Sequence, residues 1–417
     1  MHPSFPIAII GGGPVGLAAA ANLALWGLPF TVFEAGEKVG TAVRSWGHIR
    51  MFSPWKYTMD RAAEQLLKNQ GWKAPQGSLL PTGKELVEDF LEPLAALPGI
   101  QPHIKTSSRV LSVQRYGIDK VKSRGRTSFP FELSYIHAGS IEKAYASAVI
   151  DATGTWGNPN PAGSGGVPAQ GEITNKNRIF YGIPDRSPGR RSRYWNKAVA
   201  VLGSGHSAIH SLLELHALKG DAPRSQIFWI MRRALTPGLF GGGAKDDLPA
   251  RATLGQKAQA LMDQGFIQVI APFRLETIDS EPDSLRITGS DGRRSVHVRG
   301  LDALVVNTGG RPDFSFLREL RHTFDPVLES VPALAEHIDP NYHSCGTVIA
   351  HGEAELRQPE PGFYIVGSKS YGRAPSFLMA TGFEQVRSIA AFLAGDQEAA
   401  RRVELHLPET GVCGVRE

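Results

Sequence analysis

A chain of 417 residues is too long for one small hydrophobic core and implies two or three units, each burying its own. Hydrophobic residues at 41% and charged residues at 20% exclude a disordered chain, and a net charge of +5 from scattered Lys and Arg argues against a nucleic-acid partner. The two cysteines, Cys345 and Cys413, stand far apart with no CxxC, which excludes a disulfide framework or zinc ribbon and fits a reducing, cytoplasmic setting.

Residues 6–10 (PIAII) predict a short strand, GGGPVG breaks it, and the Ala- and Leu-rich residues 14–26 predict a helix. Residues 31–36 (TVFEAG) predict a second buried strand. The apolar stretch 8–26 imitates a membrane span in length, but glycines and a proline interrupt it and no Lys or Arg precedes it, so a buried βαβ unit is expected instead of membrane insertion. In such a unit Gly11 makes the tight turn, Gly13 lets the backbone approach a pyrophosphate, and Gly16 lets the helix pack on the strand, with Pro14 and Val15 completing the turn. Glu34, ending the second strand, stands where an acid grips a ribose hydroxyl.

From residue 108 the segments RVLSVQRY, FPFELSYIH and AYASAVIDATG alternate as a three-stranded meander closing on a strand, with Val110 in the first segment and Thr153-Gly154 at the end. The Gly/Pro-rich stretch 154–171 is a crossover linker. The same events then recur. AVAVL (198–202) is a strand, Gly203-Ser204-Gly205 turns into a helix past Ser207 and Ala208, and IFWIMRR is the next strand. Here the second strand ends not in an acid but in Arg232 and Arg233, which can pair with a 2′-phosphate and favour NADP over NAD. FIQVI, SLRITGS, SVHVRG and LDALVVNTGG predict a second meander ending at Thr308-Gly309. This internal repeat implies two nucleotide sites. The end of the chain, from PGFYIVGSK to LAGD, predicts a strand, a loop and a helix over 376–392 that rejoin the first domain.

The fold expected is α/β: two Rossmann-like dinucleotide-binding domains with β-meander insertions, the first discontinuous (1–158 and 310–400), the second over 159–309, and a tail over 401–417. GxGxxG, Glu34, IDATG, GSGHSA and VVNTGGRPD together resemble the two-dinucleotide-binding-domain flavoprotein superfamily. MFSP (51–54), DATGTWGNPNPAG and GSGHSA resemble its flavin-containing monooxygenase-like branch. The resemblance covers nearly the whole chain. It implies FAD at the first turn with Glu34 and NADPH at the second turn. It also implies Arg44, Trp46 and Ser53 near the flavin, with Val110 in the cofactor-binding set and Thr153-Gly154 marking the crossover.

Two positions depart from the pattern. The branch's fingerprint FxGxxxHxxxY begins with Phe180 and Gly182, but Arg186 replaces its histidine. A glycine-acid pair that meets the ribityl chain is matched by Gly367-Ser368, with a hydroxyl in place of the acid. Tyr371 and Arg373, in the following loop, are candidate catalytic residues alongside Ser53, and the N-terminus of the 376–392 helix is expected to face the flavin pyrimidine ring. Cys345 with His343 and His351 matches no zinc spacing, so no metal is expected, and His206 in the second turn suits packing or a phosphate contact. The activity implied is hydride transfer from NADPH to FAD, then oxygen activation to oxidise a nitrogen, sulfur or similar heteroatom of a small substrate. Two alternatives stay open: a reductase or oxidase passing electrons to a quinone, metal, protein or oxygen, and a sensor that binds FAD and NADPH without turnover.

Overall fold

The computed structural model of the chain describes residues 5–235, 249–342 and 350–405. Two units form, one from the chain up to Asn158 together with the chain from Arg311 onward, the other from Pro159–Gly310.

In the first unit the strands β1 (Ile7–Ile10), β2 (Phe30–Phe33), β3 (Ile104–Lys105) and β7 (Ala148–Asp151) join β16 (Phe363–Ile365) in a parallel sheet ordered β16-β7-β1-β2-β3. The residues of β1, β7 and β16 are buried on both faces, as continuous aliphatic runs in a covered parallel sheet must be. Helix α1 (Pro14–Leu25) packs against the helices Arg61–Lys68 and Met379–Leu393, and its alanines 18–21 are small enough to let these neighbours approach closely. The strands β4 (Arg109–Arg115), β5 (Phe131–His137) and β6 (Ser140–Ala146) form a separate antiparallel meander.

The second unit repeats this plan. Its strands β8 (Ile179–Tyr181), β9 (Ala198–Leu202), β10 (Gln226–Ile230), β11 (Gln268–Ile270) and β15 (Ala303–Val306) make a parallel sheet ordered β11-β10-β9-β15-β8. The antiparallel meander beside it is β12 (Arg274–Ser280), β13 (Leu285–Ser290) and β14 (Ser295–Leu301). The FIQVI segment therefore belongs to the parallel sheet, and the meander's first strand is RLETIDS. A register shift between Leu275 and Thr277 hides that strand: its buried residues, Leu275 and Ile278, stand three apart and break the two-residue alternation. The three-residue edge strand β8 is too short to show a period. The last long helix starts at Met379, three residues later than expected, because Leu378 is still extended.

Where the chain leaves and re-enters the first unit, the Arg311 N–H donates to the Asn158 carbonyl at 2.9 Å, and Asn158 Nδ2 donates to the Pro312 carbonyl at 3.4 Å. Among the described residues no helix is long and apolar enough to cross a membrane.

Candidate functional site

The first glycine turn sits at the carboxyl end of β1, between β2 and β7, where the strand order reverses and open α/β sheets take their ligands. Gly11 has φ +106°, and a β-carbon there would stand 2.7 Å from the Ala152 carbonyl oxygen. At Gly16 a β-carbon would be 1.9 Å from the Gly11 carbonyl oxygen, so only glycine lets α1 start this close to the strand. Gly13 is different in kind. A β-carbon there meets nothing within 4 Å, and no side chain caps the helix it heads, so the first-turn N–H groups of α1 are left for a ligand. That is the arrangement a phosphate needs. Beside it, Glu34 Oε2 accepts from the Gly12 N–H and Oε1 from the Gly36 N–H, both at 2.7 Å.

The second turn repeats the geometry in the other unit. Gly203 has φ +124°, and a β-carbon there would be 2.2 Å from the Asn307 carbonyl oxygen, just before Thr308-Gly309, as Gly11 lies against the residue before Thr153-Gly154. Gly205, like Gly13, faces open space and heads an uncapped helix, His206–Lys219. Ser204 is exposed, Ser207 half-buried, and Ala208 fully buried where the first turn has Gly16. Beyond β10, Arg232 and Arg233 are both exposed, with Arg232 Nη1 donating to the Ser164 carbonyl at 3.1 Å. Asn307, not singled out from sequence, ties the turn together: its Oδ1 accepts from Ser211 Oγ at 2.7 Å and its Nδ2 donates to the Gly182 carbonyl at 2.8 Å. Arg186 pairs with Glu214 of the His206–Lys219 helix at 2.5 Å, so the residue standing in for the fingerprint histidine is held on that helix. Thr308 Oγ1 donates to the Asn160 carbonyl at 2.9 Å, and Gly309 has φ +91°.

Back in the first unit, Thr153 Oγ1 donates to Asp151 Oδ1 at 2.7 Å, and Gly154, at φ +68°, has room for no more than the Ser368 hydroxyl, 3.2 Å from where its β-carbon would be. Behind them lies Lys369, fully buried. Its Nζ donates to Asp151 Oδ2 at 2.6 Å, Thr153 Oγ1 at 3.2 Å and the Asp313 carbonyl at 2.6 Å, above the rings of Phe314 and Phe316. The Gly367 N–H donates to Gln385 Oε1 at 2.8 Å, which fastens the Gly367–Tyr371 turn to the Met379–Leu393 helix.

The remaining candidates do not converge. Tyr371 is buried, its hydroxyl pushed above the usual phenol range by burial, and its ring lies edge-on to His351 and Phe377 with centroids 6.1 and 5.3 Å away. Arg373, two residues on, is exposed. His351 is itself buried, with neither ring nitrogen bonded, and burial pushes its pKa down to about 4. Arg44 pairs with Glu92 at 2.6 Å and donates to the Val39 carbonyl at 3.1 Å. Trp46 packs over Gly83, with the Trp156 ring 6.4 Å from its own. Ser53 and Val110 are half-buried. His343, Cys345 and Cys413 lie outside the described residues, as does most of the 401–417 tail.

Residues 9–72 match the family model described as an NAD(P)-binding Rossmann-like domain. A search of the curated proteins returns no match. Among solved structures, a bacillithiol disulfide reductase from Bacillus cereus aligns at TM-score 0.67 with 20% identity, over 94% of this chain and 99% of that one. The Erwinia amylovora cadaverine monooxygenase of desferrioxamine biosynthesis aligns at TM-score 0.67 with 13% identity, over 99% of each chain. The fold is that of the two-dinucleotide-binding-domain flavoproteins. A Kutzneria ornithine N-hydroxylase shares this flavoprotein fold at TM-score 0.63 with 16% identity, over 95% of this chain and 100% of that one. Oxygenases and disulfide reductases thus share the flavoprotein fold, so fold alone does not choose the electron acceptor.

Proposed function

We propose that this chain is an NADPH-dependent FAD oxidoreductase whose first unit holds FAD and whose second holds NADPH, with oxygen as the next acceptor and a nitrogen, sulfur or similar atom of a small molecule as the group oxidised. The observation that carries the reading is one turn geometry used twice with opposite charge beside it. Gly13 and Gly205 both head uncapped helices over open space, but Glu34 flanks one and Arg232 with Arg233 the other. A carboxylate suits ribose hydroxyls and repels a 2′-phosphate, whereas guanidinium groups attract it.

Bound FAD would supply the hydride acceptor and the reactivity toward oxygen. The chain's own part is binding and orientation. The first-turn amides of α1 would hold the pyrophosphate, and Glu34, whose oxygens accept from the Gly12 and Gly36 amides, would also meet the ribose. Lys369, by gripping Asp151, Thr153 and the Asp313 carbonyl together, fixes the end of the strand beside the first turn and with it the neighbouring Ser368, which would meet the cofactor. The hydride step itself needs no general acid or base from the chain.

The test is spectroscopic. Under anaerobic conditions NADPH should bleach the flavin band, and NADH should do so far more slowly. In air, NADPH consumption should couple to an oxygenated amine or sulfide. Complete recovery of the electrons as hydrogen peroxide refutes the oxygenase reading, and failure of NADPH to bleach the flavin refutes the whole assignment. The second reading, a reductase, is supported by the likeness to the bacillithiol disulfide reductase. It predicts fast anaerobic turnover with a quinone or disulfide. Against thiol chemistry of the paired-cysteine kind stands a sequence whose two cysteines form no CxxC.

A further inference from the structure

The first unit contains a cavity at the other end of α1 from the glycine turn. It encloses about 390 Å³ between the C-terminal half of α1, the Arg61–Lys68 helix and the start of the Met379–Leu393 helix. Its most buried charged group is Asp60, 5% exposed. The Ala63 N–H and Asn22 Nδ2 both donate to Asp60 Oδ1, at 2.9 and 3.3 Å. Asn22 is a buried amide in a helix otherwise made of Ala, Leu, Gly, Val and Pro, and it lies about 12 Å along the helix axis from Pro14.

Among the described residues no cation pairs with Asp60. The charged side chain that acts on it most is another carboxylate, Glu384, which raises its pKa further, and burial pushes Asp60 up to about 6. Arg387, in the wall, is committed elsewhere: its Nη2 and Nε donate to Glu384 at 2.6 and 3.1 Å, and its Nη1 to the Ala399 carbonyl. The other charged or titratable groups at the cavity are Lys56, Tyr57, Arg61 and Glu404. Leu25, Met59 and Phe383 supply an apolar wall. A buried carboxylate that ionises at neutral pH with no cation beside it among the described residues is costly to the folded state, and a ligand that brings a positive charge on an apolar stem offsets that cost while covering the wall.

We infer that this cavity binds a small organic monocation, a primary ammonium on an unbranched alkyl stem, with its charge against Asp60 and its stem along Met59 and Phe383. The site is independent of the dinucleotide assignments and stands whichever acceptor takes the electrons. It is tested on the full chain by calorimetric titration with hexylammonium and with hexanol, a neutral probe of the same length. Hexylammonium should bind the wild type at least tenfold more tightly than hexanol, and binding should tighten as Asp60 ionises between pH 5 and 7. Asp60 also caps the N-terminus of the Arg61–Lys68 helix, so Asp60→Asn keeps that cap and the Asn22 contact but not the charge, and should lose at least tenfold in ammonium affinity with hexanol affinity unchanged. Met59→Lys, which supplies a resident ammonium, should abolish ammonium binding. Equal affinities for the two probes, no binding of hexylammonium to the wild type, or full ammonium affinity in Asp60→Asn overturns the inference.

Discussion

Replacing Asp60 and His351 one at a time should tilt the acid stability profile in opposite directions. Asp60 is raised by burial from 3.8 to about 6, so between pH 4 and 6 the folded state keeps a proton that the unfolded chain has released. Stability therefore falls as pH rises through that window, by about 3 kcal/mol in all at 1.36 kcal/mol per pH unit, and levels off above pH 6. His351 is lowered by burial from 6.5 to about 4, so the unfolded chain takes up a proton first as the pH drops. Its contribution is complete above pH 6.5 and is lost as the pH falls through 4, again about 3 kcal/mol. In the wild type the two slopes oppose each other between pH 4 and 6. Asp60→Asn leaves the histidine term alone and should make stability rise with pH by about 3 kcal/mol across the window, whereas His351→Phe should make it fall by about as much. Urea unfolding at pH 4, 5, 6 and 7 measures both. Variants that keep the wild-type slope, or that tilt the same way, refute the reasoning.

Gly11→Ala forces an alanine to φ +106° and toward a carbonyl oxygen, and should cost about 2 to 4 kcal/mol in thermal unfolding. Gly13→Ala meets open space instead. It should leave the melting temperature nearly unchanged and weaken FAD binding about tenfold or more, read by flavin fluorescence titration. Replacing Arg232 and Arg233 together with Ala should raise the KM for NADPH about 10- to 100-fold and leave that for NADH unchanged, in steady-state assays. Lys369→Met strands the buried Asp151 carboxylate and should lower stability by about 3 to 5 kcal/mol in urea unfolding. A loss under 1 kcal/mol would show that Asp151 finds another partner.

The turns were legible because glycine, helix-forming and strand-forming residues follow one another in the order that the backbone requires, and the contrast between Glu34 and the arginine pair lies in the letters themselves. Lys369, in the PGFYIVGSK segment, carries no signal of its own. A buried cation is recognisable only with its partner, and Asp151 is 218 positions away. Tyr371 and Arg373 looked equivalent in a loop without periodicity, yet one is enclosed and the other exposed. The strand β12 cannot be read from its sequence because its bulge disturbs the alternation that marks strands.

The hydrogen bond from the Arg311 N–H to the Asn158 carbonyl makes residues 159–310 an insertion in one loop of the first unit, with its two ends already in contact. Every strand of the β16-β7-β1-β2-β3 sheet lies outside the insertion. Joining Asn158 to Arg311 by a short bridge therefore removes the second unit without cutting that sheet, and the loop left behind costs less entropy to close than the present one. Connected in this way, the second unit is a replaceable module, and the first is the host whose sheet is completed only by β16, on the far side of the insertion.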